Sequence, residues 1–479
     1  MPDWATDKGN SVVNALAEGQ TPTLCFRGGM YLLYSLLTLL IFVIVSPYFV
    51  YQALRYKKYI GSLRERLGYL PISFNLDGEE SIWIHAVSVG EALTARALAA
   101  DLKARYPRLR LYLSTTTIPG QQVARASLGS VVDAVFYFPF DWAFIVRRTL
   151  NLVKPRLFIM METEIWPNLL RACRKRGVRT VVINGRISSR SYPRYRLIRL
   201  FFRRVLADVD RFCMQSEESA RRLIDLGASP ARVTVSGSLK FDSLDVPPPA
   251  GTVHGKPRER LMRFFRISLN RTVIVAGSTM RGEEAAVLKA FERVKATKSH
   301  ALCILAPRHP ERFAEVERLA REAGFVTALR SELPIDAEPR ADVVVLDTIG
   351  ELAQLYQVAT AVFVGGSLAD HGGHNILEPA IFGKPVIFGP HMQNFKEIAE
   401  AFLANGAAIQ VRSDRELDDA ILALVRDPVH RARLGAAARA LVEANRGAKG
   451  KTLAVIEELL PPAGSGGSGS VVRPFRRVH

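Results

Sequence analysis

The chain has 479 residues, 48% of them hydrophobic, which is enough for two globular domains with separate cores. Its 65 Lys and Arg against 46 Asp and Glu leave a formal net charge of +19, so an anionic partner is expected: nucleic acid, an acidic membrane or a phosphorylated substrate. Four scattered cysteines (Cys25, Cys173, Cys213, Cys303) show no CxxC spacing, which argues against a disulfide framework or a zinc site and for a reducing compartment.

The first element in chain order is apolar. Residues 30–53 carry no charged side chain, a run long enough to cross the hydrocarbon core as a helix. Tyr31, Tyr34, Tyr48 and Tyr51 sit toward its ends, where aromatic belts are expected. Arg55, Lys57, Lys58, Arg64 and Arg66 follow it, whereas Lys8 and Arg27 are offset by Asp3, Asp7 and Glu18 before it. The positive-inside rule then puts everything after residue 55 in the cytoplasm. The run is too long for a cleaved signal peptide. An ordinary core helix is the alternative.

Short apolar runs then alternate with amphipathic helical stretches. Strands are expected at 81–87, 109–115, 134–138, 156–161, 179–183, 211–214 and 232–235, with helices such as 92–105 and 166–176 between them. A proline-rich break, Pro247-Pro248-Pro249-Ala250-Gly251, reads as a linker. The alternation resumes with strands at 272–276, 301–306, 342–346, 361–364, 385–388 and 407–411 and helices such as 285–296 and 311–323. This predicts an α/β protein of two Rossmann-like domains facing a cleft, each a parallel sheet covered by helices. The division is an extension (1–29), a membrane anchor (30–53), a first domain (54–246), a linker (247–257), a second domain (258–461) and a Gly/Ser linker with a basic tail (462–479).

Ligands of open parallel sheets bind beyond the carboxyl ends of the strands, so polar strand ends are site candidates. Ser88-Val89-Gly90-Glu91 fits a capping box, in which Glu91 closes a helix start; the same position suits a catalytic carboxylate, and Gly90 lets a substrate approach the backbone. Glu162 and Glu164, two apart in an extended segment, are expected on one side, as acid/base partners, as ligands of a cation or as helix-capping and solvated acids. Arg308 follows an apolar strand and is placed for a phosphate or for the helix beginning near Glu311, while Lys240 closes a polar strand end. In the glycine-rich stretch 365–379, Asn375 is expected to open a helix whose N-terminus suits a phosphate, with Glu378 placed for ribose hydroxyls. His371 and His374 lack a third ligand at metal spacing, so neither a metal nor any other cofactor is expected. No GxxxxGK[ST] loop, G-x-S-x-G elbow or aromatic-basic RNA-binding sheet is present, so nucleic acid is not the expected partner.

Five strings together resemble the 3-deoxy-D-manno-octulosonic acid (Kdo) transferases of lipopolysaccharide synthesis. They are His85-Ala86-Val87-Ser88-Val89-Gly90-Glu91, the run from Met161 to Asn168, the run from Gly237 to Asp242, the run from Pro307 to Phe313, and Gly372-Gly373-His374-Asn375. The resemblance runs from about residue 30 to 460 and implies a GT-B fold. It also implies inverting transfer of Kdo from CMP-Kdo to the lipid A precursor at the inner membrane. It makes Glu91 the catalytic base, gives Glu162 and Lys240 transition-state roles, and puts CMP on Pro307, Arg308, Ile349, Gly350, Glu351, Asn375, Ile376, Leu377 and Glu378. A single donor phosphate needs no magnesium, and an anionic glycolipid acceptor accounts for both the anchor and the basic surface. Two other readings compete with this one. The chain is then either a GT-B enzyme using another nucleotide sugar on a membrane lipid, or a non-enzymatic membrane tether that binds nucleotides.

Overall fold

The computed structural model describes residues 23–56, 60–71, 75, 77–189, 191–242, 271–333 and 341–461. The expected linker at 247–257, the Gly/Ser segment and tail at 462–479, and the extension up to residue 22 lie outside the described residues. Two compact units result, one built from the chain up to residue 242 together with 447–461, the other from 271–446.

The first unit opens with α1 (Thr23–Tyr56) and α2 (Ile60–Arg66). Then come β1 (Ser81–His85), α3 (Val89–Arg105), β2 (Arg110–Thr115), α4 (Ile118–Leu128), β3 (Ala134–Tyr137), α5 (Ala143–Val153) and β4 (Pro155–Met161). The series continues with α6 (Pro167–Arg176), β5 (Arg179–Gly185), α7 (Tyr192–Leu197), α8 (Arg199–Leu206), β6 (Arg211–Met214), α9 (Glu217–Asp225) and β7 (Val233–Val235). The seven strands pair in the order β3-β2-β1-β4-β5-β6-β7, all parallel. Helix starts are written locally: Ser88, Thr117 and Ser216 each accept a backbone N–H as N-caps of α3, α4 and α9.

Burial on both faces explains the continuous apolar runs of the central strands. In β1 and its neighbours, Trp83, Tyr112, Phe136 and Phe158 fill one side of the sheet. Ile82, Ile84, Leu111, Leu113, Leu157 and Ile159 fill the other.

The second unit repeats the plan with β8 (Val273–Thr279), α10 (Glu283–Thr297), β9 (Leu302–Pro307), α11 (Phe313–Glu322), β10 (Thr327–Leu329) and β11 (Val343–Val345). It continues through α12 (Leu352–Leu355), β12 (Ala361–Val364), α13 (Leu377–Ile381), β13 (Val386–Phe388), α14 (Lys396–Ala404), β14 (Ile409–Gln410), α15 (Asp414–Arg426) and α16 (Pro428–Ala444). Its strand order is β10-β11-β9-β8-β12-β13-β14, again parallel. The expected strands are present, and β10 is an addition. It is a three-residue, half-buried edge strand that carries no apolar run of its own.

The assignment of 258–461 to one domain needs correcting. The last helix, α17 (Ala448–Leu459), returns to the first unit. Leu453 and Ile456 pack with Ile82, Ile84 and Leu111. The Asp242 carboxylate accepts N–H bonds from Gly447 and Lys449 at 2.8 and 2.7 Å, which caps the helix. Tyr106 donates its hydroxyl to the carbonyl of Leu460 at 2.5 Å.

In α1, the stretch Gly29–Tyr48 has a mean hydropathy of 2.2 and is long and apolar enough to cross a membrane. Only 6% of it is buried, which speaks against an ordinary core helix. One stripe nevertheless docks on the first unit through hydrogen bonds. Tyr31 donates to Asp208 at 2.7 Å, Asn168 to Ser35 at 2.9 Å, and the Trp142 indole to Thr38 at 3.2 Å.

Because α17 belongs to the first core, Ile456→Ala is expected to destabilise that unit by about 2–5 kcal/mol, the usual cost of truncating a buried aliphatic. Hydrogen exchange should show faster opening in β1–β7 with β8–β14 unaffected. Equal loss in both sheets would contradict the assignment.

Candidate active site

In a parallel sheet the crevice for ligands opens where the strand order reverses. In the first unit that point lies between β1 and β4, which pair directly while their following connections leave in opposite directions. Glu91 follows β1, and Glu162 and Glu164 follow β4.

Glu91 sits in the first turn of α3 and is 9% exposed. Its carboxylate accepts the Val87 N–H at 2.8 Å and the Ser88 hydroxyl at 2.9 Å. Ser88 in turn caps the Glu91 N–H, so the capping box is real. These bonds and the helix dipole favour ionisation, yet burial pushes the carboxyl up to about 7, with the charges of Glu162 and Glu164 adding to the rise. Burial therefore outweighs the lowering expected from a helix N-terminus. The group is both a cap and an acid poised at neutral pH.

Glu162 and Glu164 are not in extended backbone as expected. β4 ends at Met161, and Glu162 takes a left-handed conformation with φ of 54°, which is rare for a residue with a side chain. Both glutamates are nevertheless close enough to act on Glu91. Glu164 also stands 3.8 Å from Nε2 of His85, a ring with no exposed surface whose Nδ1 bonds Ser114 and which stacks on Phe138 at 3.8 Å. Asn184, at the end of β5, has φ of 53° and accepts the Leu239 N–H at 3.0 Å. That bond holds the turn 239–241 carrying the half-buried Lys240 at the same edge of the sheet. Sequence reasoning gave His85 and Asn184 no organising role: His85 lies inside an apolar strand, and Asn184 stood out only as part of a polar strand end.

In the second unit the reversal falls between β8 and β12. Gly277 there packs against the Tyr356 hydroxyl, where any side chain would collide. Pro307 is buried at the end of β9, and Arg308 beyond it is exposed, with its N–H bonded to the Thr279 carbonyl at 3.0 Å. Ile349 and Gly350 are exposed ahead of α12. Glu351 accepts from Arg330 at 2.9 Å and Thr348 at 2.5 Å. Asn375 accepts the Leu377 N–H and donates to Glu378, both at 3.1 Å, so it sets the turn entering α13. Ile376 and Leu377 are fully buried. His374 lies against Gly366, its Nε2 buried without a partner. Burial, then Arg308, push its pKa down to about 4, so the ring is neutral at physiological pH.

The glycine-rich loop itself does not present its amides to a ligand as expected. Glu283, 1% exposed at the start of α10, already accepts N–H bonds from Gly366, Ser367, Leu368 and Ala369 at 2.7–3.1 Å, and from Met280 at 2.9 Å. A residue more than eighty positions away thus fills that nest of donors, a pairing no local pattern announces.

Comparison with known proteins settles the class first. Residues 285–441 match the model of group 1 glycosyl transferases. Solved structures of similar architecture include UDP-GlcNAc 2-epimerase from Neisseria meningitidis (TM-score 0.51, 13% identity, 80% of this chain and 99% of that one). Another is a glycosyltransferase from Rickettsia africae (TM-score 0.51, 13% identity, 80% and 100% covered). These neighbours share the fold, two Rossmann-like domains of the GT-B type. The chain is a glycosyltransferase. Residues 61–243 match the 3-deoxy-D-manno-octulosonic-acid transferase (kdotransferase) model. The Kdo transferase of Haemophilus influenzae is 33% identical over 84% of this chain and 92% of its own. That of Bordetella pertussis is 35% identical over 79% and 87%. The chain belongs to the 3-deoxy-D-manno-octulosonic acid transferase family.

If Glu283 holds the loop as an anion, Glu283→Gln is expected to destabilise the second unit despite equal size. The amide turns two donor hydrogens toward backbone N–H groups, and charge-assisted bonds of this kind are worth about 1.5–3 kcal/mol each. A melting temperature equal to wild type would contradict this.

Proposed function

We propose that the enzyme moves Kdo from CMP-Kdo to a hydroxyl of the phosphorylated lipid A precursor, with inversion, using Glu91 as general base and no metal ion. The observation that carries this reading is a buried carboxyl at the β1–β4 reversal whose pKa stands at about 7. Such a group is ionised often enough to accept a proton and basic enough to hold it. Glu91 takes the acceptor's proton as that oxygen bonds the anomeric carbon, while the bond to CMP breaks and its electron pair leaves with the phosphate. Glu162 and Lys240, at the same edge of the sheet, support the developing charge.

The second unit holds the donor. Arg308 offsets the phosphate charge, and Ile349, Gly350 and Glu351, with Asn375, Glu378 and the backbone of Ile376 and Leu377, line the nucleotide position beyond Pro307. The unpartnered Nε2 of neutral His374, beside Arg308, adds one more polar contact. A leaving group with one phosphate needs no metal ion to offset its charge. The apolar α1 anchors the enzyme in the inner membrane, and the basic residues after it place both units on the cytoplasmic side. Next to α1, the arginine-rich α7–α8 pair exposes Leu197 and Leu200 at 86% and 80%, and Phe201 contacts Tyr31 and Tyr34. Apolar and cationic groups together suit an anionic lipid surface.

Arg308→Ala is expected to weaken CMP binding by about 1.5–3 kcal/mol, the worth of a charge-assisted contact. Thermal stabilisation of the wild type by CMP, and not by UDP or GDP, should shrink accordingly in the variant. Unchanged CMP affinity would place the donor elsewhere.

Glu91→Gln separates base from cap. Its amide oxygen still accepts the Val87 N–H, and its NH2 donates to Ser88, so the fold should persist. Transfer should fall about 10²–10⁴-fold, with CMP binding intact. The wild-type kcat/KM should rise with pH through about 7 as Glu91 ionises. Stability carries the opposite sign: a folded pKa raised above the unfolded value costs stability as pH climbs from the ordinary carboxylate range through 7. The variant escapes this cost, so its melting temperature should gain on wild type between pH 5 and 8. Normal turnover by a folded Glu91→Gln enzyme would sink the assignment.

A further inference from the structure

The docked stripe of α1 forms a half-open cleft of about 250 Å³ against the first unit. Its walls are Tyr34, Thr38, Ile41, Phe42 and Val45 from α1, and Phe140, Asp141, Trp142 and Trp166 from the domain. Concave apolar surface of this kind suits an apolar guest.

The polar groups in this wall are mostly spent. The Asp141 carboxylate, wholly buried, accepts the N–H groups of Asn168 and Leu169 at 2.9 and 2.8 Å. The Trp142 indole donates to Thr38, and Phe42 packs edge-on against Phe140 and Trp142 at 5.2 and 5.1 Å. The surface left for an occupant is aliphatic and aromatic. One donor is the exception: Nε1 of Trp166 is buried without a hydrogen-bond partner.

Trp166 also ties the cleft to the chemistry. It stands two residues after Glu164 and packs on Phe138 at 4.9 Å, and Phe138 stacks on His85, the neighbour of Glu164. On its other side the cleft is bounded by a helix whose outer face exposes Leu33, Leu36, Leu40 and Ile44. A guest in this position spans the distance between an apolar phase and the catalytic edge of the sheet.

We propose that this cleft is a subsite for one fatty acyl chain of the lipid acceptor, packed against the rings of Phe42, Trp142 and Trp166. The inference rests on the lipid-acceptor reading above and extends it. α1 is then part of the acceptor site as well as an anchor, and the chain it receives helps bring the sugar hydroxyl toward Glu91.

The test uses the full-length enzyme in detergent micelles with two acceptors: the phosphorylated glycolipid with its long chains, and the same disaccharide carrying butyryl chains. Thr38→Trp and Phe42→Trp, at half-buried lining positions, fill the cleft; Leu40→Trp, on the exposed face of α1, is the control. For the long-chain acceptor, KM should rise about tenfold in the filled variants, equivalent to displacing about two methylenes, with kcat and the donor KM unchanged. The butyryl acceptor and the control should behave as wild type. An unchanged long-chain KM, or an equal loss on both acceptors, would overturn the proposal. Absence of transfer by the wild type to either acceptor would instead remove the reading beneath it. If a filled variant does not fold, photolabelling of the wild type with an acceptor whose chains end in a diazirine decides. Label on Tyr34, Thr38, Phe42 or residues 140–142 supports the subsite, and label confined to Leu33, Leu36 and Leu40 overturns it.

Discussion

Parallel pairing obliges the chain to return through a helix after each strand, so all carboxyl ends of a sheet gather along one edge. In the first unit that geometry, with the reversal between β1 and β4, brings three glutamates from two strand ends to one place. Their mutual repulsion costs stability, and they stay because sheet and helix positions are fixed by two apolar layers around Trp83 and Ile82. The buried acid at the start of α3 is thus the electrostatic consequence of a topology. Its proton affinity follows from where β1 ends and β4 turns.

The two units treat charge in opposite ways. The first gathers acids next to a buried histidine. The second neutralises its own loop: Glu283 satisfies five backbone N–H groups, which converts a flexible glycine run into a rigid frame. That backbone lies beside a neutral His374 and an exposed Arg308. Preorganisation of this kind reduces what binding must spend on ordering the site.

Much of this was legible in the residues alone. Fully buried parallel strands announce themselves as apolar runs, and polar strand ends mark where ligands bind, so Glu91, Glu162, Arg308 and Asn375 stood out. What escaped notice depends on contacts distant in sequence. Glu283 carries no local signal, since its partners lie beyond residue 365. The left-handed turn at Glu162 contradicts the extended geometry its neighbours suggest, because side chains pay for φ above zero only where packing demands it. β10 is too short to show a period, and α17 is amphipathic in a way that fits either core.

The return of α17 has a consequence for biogenesis. Translation releases the first sheet's strands early, with α3 and α4 to cover part of one face, yet the helix that completes that layer over β5 and β6 leaves the ribosome only after residue 459. For most of synthesis that part of the apolar face waits uncovered, while β8–β14 and their helices are complete some thirteen residues sooner, at 446. The later-made unit can therefore close before the earlier one. Cellular holdases have a defined target during that interval, the face that ends against Leu453 and Ile456.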